Sequence, residues 1–129
     1  MADRPEGAAA PLTPAMFQIL LALADGERHG YSIMREVEQA SDGEFQMGPG
    51  TLYRSIKHML ALGLIAESDE RPDPELDDER RRYYRITGAG RRAASVEAQR
   101  LARLVSAARE RRLLEDWGGE ANPGLGGVR

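Results

Sequence analysis

The sequence predicts a mainly α fold with one small β-hairpin and a long terminal helix. Three observations carry the prediction. Helix start and stop signals bracket three short apolar segments within residues 13–63. Two runs of strand-forming residues follow, at residues 64–68 and 80–86. A single apolar stripe at helical spacing then runs from residue 87 to about residue 114.

At 129 residues the chain can build one small core and a helical extension. Thr13-Pro14 opens the first helix, because a threonine hydroxyl caps free amides and proline's fixed φ suits the first turn. Asp25-Gly26 ends it near residue 24. Met16, Phe17, Ile19, Leu20, Leu21 and Leu23 cover nearly every side of this helix, more than one small core can take, so a second subunit is expected against it. His29-Gly30-Tyr31 leads into a second helix over residues 31–41, with Ile33, Val37 and Ala40 on one face, and His29 is read as helping a turn end before Gly30. Gly48-Pro49 opens the third helix and Gly63 closes it.

Residues 64–68 form one strand, residues 69–79 a proline-broken acidic loop, and residues 80–86 the returning strand, with Tyr84 and Ile86 pointing inward. Thr87 caps the last helix, which carries Ala94, Ala98, Leu101, Val105 and Ala108 along one stripe with Leu104 beside it. The expected organisation is a disordered tail over residues 1–11, a DNA-binding unit over 12–86, a dimerisation helix over 87–114 and a flexible tail over 115–129. Three helices followed by a hairpin make a winged helix-turn-helix, in which the third helix enters the major groove and the hairpin lies along the DNA backbone.

Bulk charge does not announce a nucleic-acid partner: 18 basic residues face 21 acidic ones, a net charge of -3. Local patterning does. On the third helix Leu52, Ile56, Met59 and Leu60 share one face, while Gly50, Arg54, Lys57 and His58 cluster opposite. Arg54 and Lys57 are of the types that bond guanine edges or neutralise phosphate, Thr51 lies near the helix N-terminus, and Gly50 leaves room for close approach. Tyr53 falls between the two faces, its ring expected on the core and its hydroxyl toward a phosphate. Lys57 is the chain's only lysine, and neither Asp nor Glu occurs from Phe45 through Ala66. That gap in negative charge suits an electrostatic DNA footprint.

The returning strand adds Arg80, Arg81, Arg82 and Arg85, which either follow the backbone or pair with the acids just before them. The acidic loop itself is repelled by phosphate, so the wing tip is expected to stay off the DNA. It lacks the glycine of a calcium loop, and no metal site is expected.

Catalysis finds no support in the residues. The absence of cysteine excludes thiol nucleophiles, disulfides and thiolate zinc, and fits a cytoplasmic location. His29 and His58, the two histidines, sit in no nucleophile or metal motif, and there is no nucleotide-binding loop. No cofactor is expected. With no signal-peptide pattern and no apolar run long enough to span a bilayer, no membrane partner is expected either.

In this order the stretches Leu12-Thr13-Pro14-Ala15-Met16-Phe17-Gln18-Ile19-Leu20, His29-Gly30-Tyr31, Gly48-Pro49-Gly50-Thr51-Leu52-Tyr53-Arg54, Gly63-Leu64-Ile65 and Arg82-Tyr83-Tyr84-Arg85-Ile86-Thr87 with Gly90 resemble the PadR family of transcriptional regulators, in its short form with a single C-terminal helix. The resemblance implies a winged helix-turn-helix homodimer, joined through the C-terminal helix, that binds double-stranded DNA at a palindromic operator as a repressor and is released by a small molecule or another signal. It assigns DNA contacts to Tyr31, Thr51, Tyr53, Arg54, Lys57 and the wing arginines. Phe17, Leu21, Leu101, Leu104, Val105 and Ala108 are the expected dimer contacts. The long acidic loop and the position of Trp117, beyond the predicted helix body, depart from the family pattern. The alternative is a winged-helix protein-interaction module that does not bind specific DNA.

Overall fold

A computed structural model describes residues 12–68 and 82–114. The expected tails over 1–11 and 115–129, the acidic loop, and Arg80 and Arg81 lie outside the described residues.

Helix α1 (Pro14–Leu23) starts as its cap predicts: Thr13 Oγ1 accepts the Met16 N–H at 3.1 Å. Its C-terminal carbonyls are taken by two arginines, Arg28 Nε donating to Ala22 O and Arg91 Nη2 donating to Ala24 O, both at 2.7 Å. Strand β1 (Arg28–His29) follows, then α2 (Gly30–Ala40). His29 does more than close a turn: its Nδ1 accepts the Ser32 N–H at 3.3 Å and so caps α2. At the other end Asp42 takes a left-handed φ of 62°, and the Gly43 N–H returns to Glu38 O at 2.8 Å.

Helix α3 (Pro49–Leu62) ends at Gly63, whose φ of 77° lets the Leu64 N–H reach Met59 O at 3.0 Å. Strands β2 (Ile65–Glu67) and β3 (Tyr83–Ile86) pair antiparallel, Ile65 opposite Ile86 and Glu67 opposite Tyr84. The predicted hairpin is thus present, but the sheet has three strands in the order β1-β3-β2, with Arg28 opposite Tyr84 and His29 opposite Tyr83. A strand of two residues shows no alternation, which is why the sequence offers no sign of it.

Helix α4 (Gly88–Glu110) is capped by Thr87, whose Oγ1 accepts the Gly90 N–H at 3.0 Å. It stops about one turn short of the predicted end. Arg112 takes a φ of 62° and the Leu113 N–H folds back to Ala108 O at 2.8 Å, a helix terminus built without glycine. The chain divides into two compact units within α4, Met1–Glu97 and Ala98–Arg129.

The core sits in the first unit. Met16, Ile19, Leu20, Ala22 and Leu23 of α1 are buried with Ile33, Val37, Met47, Leu52, Ile56, Met59, Ile65 and Tyr84. Because α1 packs against α2, α3 and β3 at once, one core absorbs most of a helix that looked too apolar for it. Only Leu21, 49% exposed, and the half-buried Phe17 are left over. Ala40, predicted on the core face of α2, is exposed because the last turn runs past the core. Among the described residues, no helix is long and apolar enough to cross a membrane.

Candidate nucleic-acid interface

The two faces of α3 separate as its periodicity predicts. Leu52, Ile56 and Met59 are buried, whereas Gly50, Thr51, Arg54, Lys57 and His58 are exposed. Gly48 caps the helix without a side-chain bond, and no acid occupies the first turn. A Cβ on Gly50 would meet no protein atom within 4 Å, so nothing among the described residues requires glycine at that position.

Two contacts fix this helix in place. At its N-terminal half Tyr53 packs against Gly30, the first residue of α2. A Cβ at Gly30 would collide with the Tyr53 hydroxyl and lie 2.9 Å from Cζ. The hydroxyl expected to reach outward is therefore buried between the two helices, with the ring on the core. At the C-terminal end Thr87 Oγ1 donates to Gly63 O at 2.6 Å while accepting the Gly90 N–H, and the Thr87 N–H donates to Leu64 O at 3.1 Å. The end of α3 and the start of α4 thus share one cap.

The cations sort into two groups. Arg28, 24% exposed, is committed internally: besides the Ala22 carbonyl it reaches Ser32 Oγ and Asp25 at 3.4 Å and Glu36 at 3.5 Å. Arg91 holds α1, and Arg82 Nη1 pairs with Glu67 Oε2 at 3.1 Å across the base of the wing. By contrast Arg35, Arg54, Lys57 and Arg85 are exposed and form no hydrogen bond or ion pair among the described residues. Tyr31, 46% exposed, stands on the outer side of α2. The structure therefore brings Gly50, Thr51, Arg54, Lys57 and His58 onto one open surface, ties Arg82 to Glu67 and turns the Tyr53 hydroxyl inward. Sequence reasoning missed Arg28, Arg91 and the Gly63–Thr87 bond, which position the site. The spacing of Asp25, Arg28 and Ser32 hinted at the first of these.

Of the expected dimer contacts, Leu21, Leu104 (55% exposed) and Val105 (43%) are open, and Phe17, Leu101 and Ala108 are partly covered within the chain.

Residues 19–96 match the family described as the Transcriptional regulator PadR-like family. The chain belongs to that family. A relative points the same way: the chain is 35% identical over 87 residues to the Transcriptional regulator Rv3488 of Mycobacterium tuberculosis, covering 67% of this chain and 75% of that one. It is also 37% identical over 90 residues to an uncharacterised 37.1 kDa protein in transposon TN4556 of Streptomyces fradiae. That match covers 70% of this chain but spans only 24% of the Streptomyces protein. Among solved structures, a PadR family transcription regulator from hypervirulent Clostridium difficile shares the fold with a TM-score of 0.62 at 21% identity, over 76% of this chain and 97% of that one. All of α2, α3 and the wing strands of this PadR-like regulator lie inside the family match, whereas the stripe of α4 beyond Val96 lies outside it.

Proposed function

We propose that this PadR-like regulator is a cytoplasmic homodimeric repressor that binds a palindromic operator and leaves it when a small molecule or another signal changes the subunit arrangement. The observation that carries the reading is the exposed face of α3. Arg54 and Lys57 have no partner among the described residues, stand beside an open Gly50, and sit in a stretch free of acids from Phe45 to Ala66. Cations of this kind supply base contacts through arginine and phosphate contacts through either residue. Residues 12–86 then act as the DNA-binding unit, with Tyr31 and Arg85 on the flanks.

Dimerisation through residues 87–114 is supported by the open Leu104 and Val105. Covering the exposed half of each such side chain contributes about 1 kcal/mol, and a two-fold interface uses each residue twice. A symmetric pair places the two α3 faces about 34–36 Å apart, one turn of DNA. Occupancy of the operator excludes polymerase. The regulator binds rather than transforms its partners.

Footprinting over the DNA upstream of its own gene, combined with sedimentation, tests this. Two protected half-sites centred about 10 base pairs apart, bound by a dimer, are expected. A stable monomer at micromolar concentration, or protection of a single half-site, overturns the dimeric geometry.

A further inference from the structure

We infer that His29 is a positioning residue for α3, holding that helix in its DNA-binding position only while the imidazole is neutral, so that operator binding weakens as pH falls through the histidine range. The inference rests on the operator-binding reading above. His29 ends β1 and caps α2, its Nδ1 accepting the Ser32 N–H at 3.3 Å. A neutral ring accepts at one nitrogen and donates at the other, so its proton sits on Nε2. A protonated ring donates at both nitrogens and cannot make this bond.

The surroundings turn that local loss into a displacement. His29 pairs with Tyr83 of β3, and the two rings meet edge to face with centroids 5.4 Å apart. An aromatic ring also attracts a cation, so this contact survives protonation and leaves two donors, Nδ1–H and the Ser32 N–H, opposed. No acid stands in the first turn of α2 to take over the cap, and Ser32 Oγ is engaged by Arg28 Nη1 at 3.4 Å. The first residue of α2 is Gly30, the residue type with the most backbone freedom to gain. It is also the seat of Tyr53, whose hydroxyl is buried against it one residue before Arg54. Fraying at Gly30 therefore reaches the exposed face of α3 through Tyr53.

The charges around the ring do not reverse this. Among the described residues Arg28 adjoins it on β1, Arg35 and Glu38 of α2 line the same groove, and Arg82 precedes Tyr83. The α2–α3 connection adds only the uncharged Gln46, Met47 and Gly48 to that groove. Arg28 is paired with Asp25 and Glu36, and Arg82 with Glu67. Arg35 and Glu38 are opposite in sign, and the positive end of α2 disfavours a further positive charge. The cap thus stabilises the fold above the ordinary histidine value of about 6.5, and its contribution is lost as pH falls below it.

The test uses the full chain as wild type, His29→Asn, His58→Asn and the double variant, which together account for both histidines. Asparagine caps a helix without titrating. Long-range proton–nitrogen spectra at about pH 8, assigned by the signals each variant loses, are expected to show His29 as the Nε2–H tautomer. The Nδ1–H tautomer overturns the inference. Urea unfolding and binding to the footprinted DNA are then followed from about pH 8 to about pH 5.5 at fixed ionic strength. The His58→Asn background removes the titration of the α3 face itself. In that background the folding equilibrium is expected to fall about fourfold relative to the double variant, and the DNA affinity to fall by about the same factor. Equal pH profiles for the two proteins overturn the inference. A difference in stability without one in affinity makes His29 a structural cap only and overturns its positioning role. If at about pH 8 wild type binds the footprinted DNA no tighter than a scrambled duplex, the operator reading fails and this inference with it. Failure confined to the pH profiles leaves the operator reading standing.

Discussion

Replacing Gly90 with alanine sets two effects of opposite sign against each other. Within a helix, alanine is favoured over glycine by about 1 kcal/mol, so α4 taken alone gains from the change. The structure opposes it. A Cβ at residue 90 would collide with the Leu64 carbonyl oxygen and lie 2.9 Å from Ile86 Cγ1 and 3.1 Å from the Leu64 carbonyl carbon. Overpacking of this kind costs about 1–3 kcal/mol. The upper end applies because the obstacle is backbone, and because that carbonyl already accepts the Thr87 N–H. A net loss of about 2 kcal/mol follows, roughly a thirtyfold shift of the folding equilibrium. In urea, at one fixed protomer concentration, the midpoint should fall by about 1 M for a slope near 2 kcal/mol/M. Gly88→Ala is the control, since its Cβ would meet nothing nearer than Arg92 Nη1 at 3.5 Å. Its midpoint should stay level or rise. A Gly90→Ala protein as stable as wild type would refute the close approach of α4 to the end of α3.

Gly50→Ala reverses the pattern: with open space around the Cβ, urea unfolding should show stability unchanged or slightly raised, while gel-shift affinity for the operator falls. Arg28→Met should lower stability by about 1–2 kcal/mol through loss of the short bond to Ala22 O, whereas Asp25→Ala, at a 78% exposed partner, should stay within about 0.5 kcal/mol. Thr87→Val removes both Oγ1 bonds and should cost about 1–2 kcal/mol, with Thr87→Ser restoring most of the loss in the same unfolding experiment.

Local chemistry makes α3 legible in the sequence: a Gly-Pro start, a glycine stop and a clean 3.6-residue period together fix both its length and its two faces. Thr13 and Thr87 act as the caps their positions suggest. What the sequence hides depends on contacts between residues far apart in the chain. Tyr53 turns inward because Gly30 of α2 leaves it a place. Arg82 faces Glu67 only once β2 and β3 pair, and Arg91 meets Ala24 across 67 residues of chain. The central position of α1, which absorbs Met16, Ile19, Leu20 and Leu23 into one core, is likewise a property of the packed fold rather than of the helix. Composition is of little use for the binding surface, since an acidic chain can still leave Arg54 and Lys57 uncommitted on one exposed helix face.

On the proposed function, Arg54 and Lys57, on the open face of α3, hold this regulator on its operator. Equilibrium binding to that DNA over a range of salt concentrations, for wild type, Arg54→Ala, Lys57→Ala and the double variant, tests it most directly. Each single change should weaken binding and reduce the salt slope by about 0.9, and the double change by about 1.8. A double variant that binds the operator with wild-type affinity and slope would contradict the account.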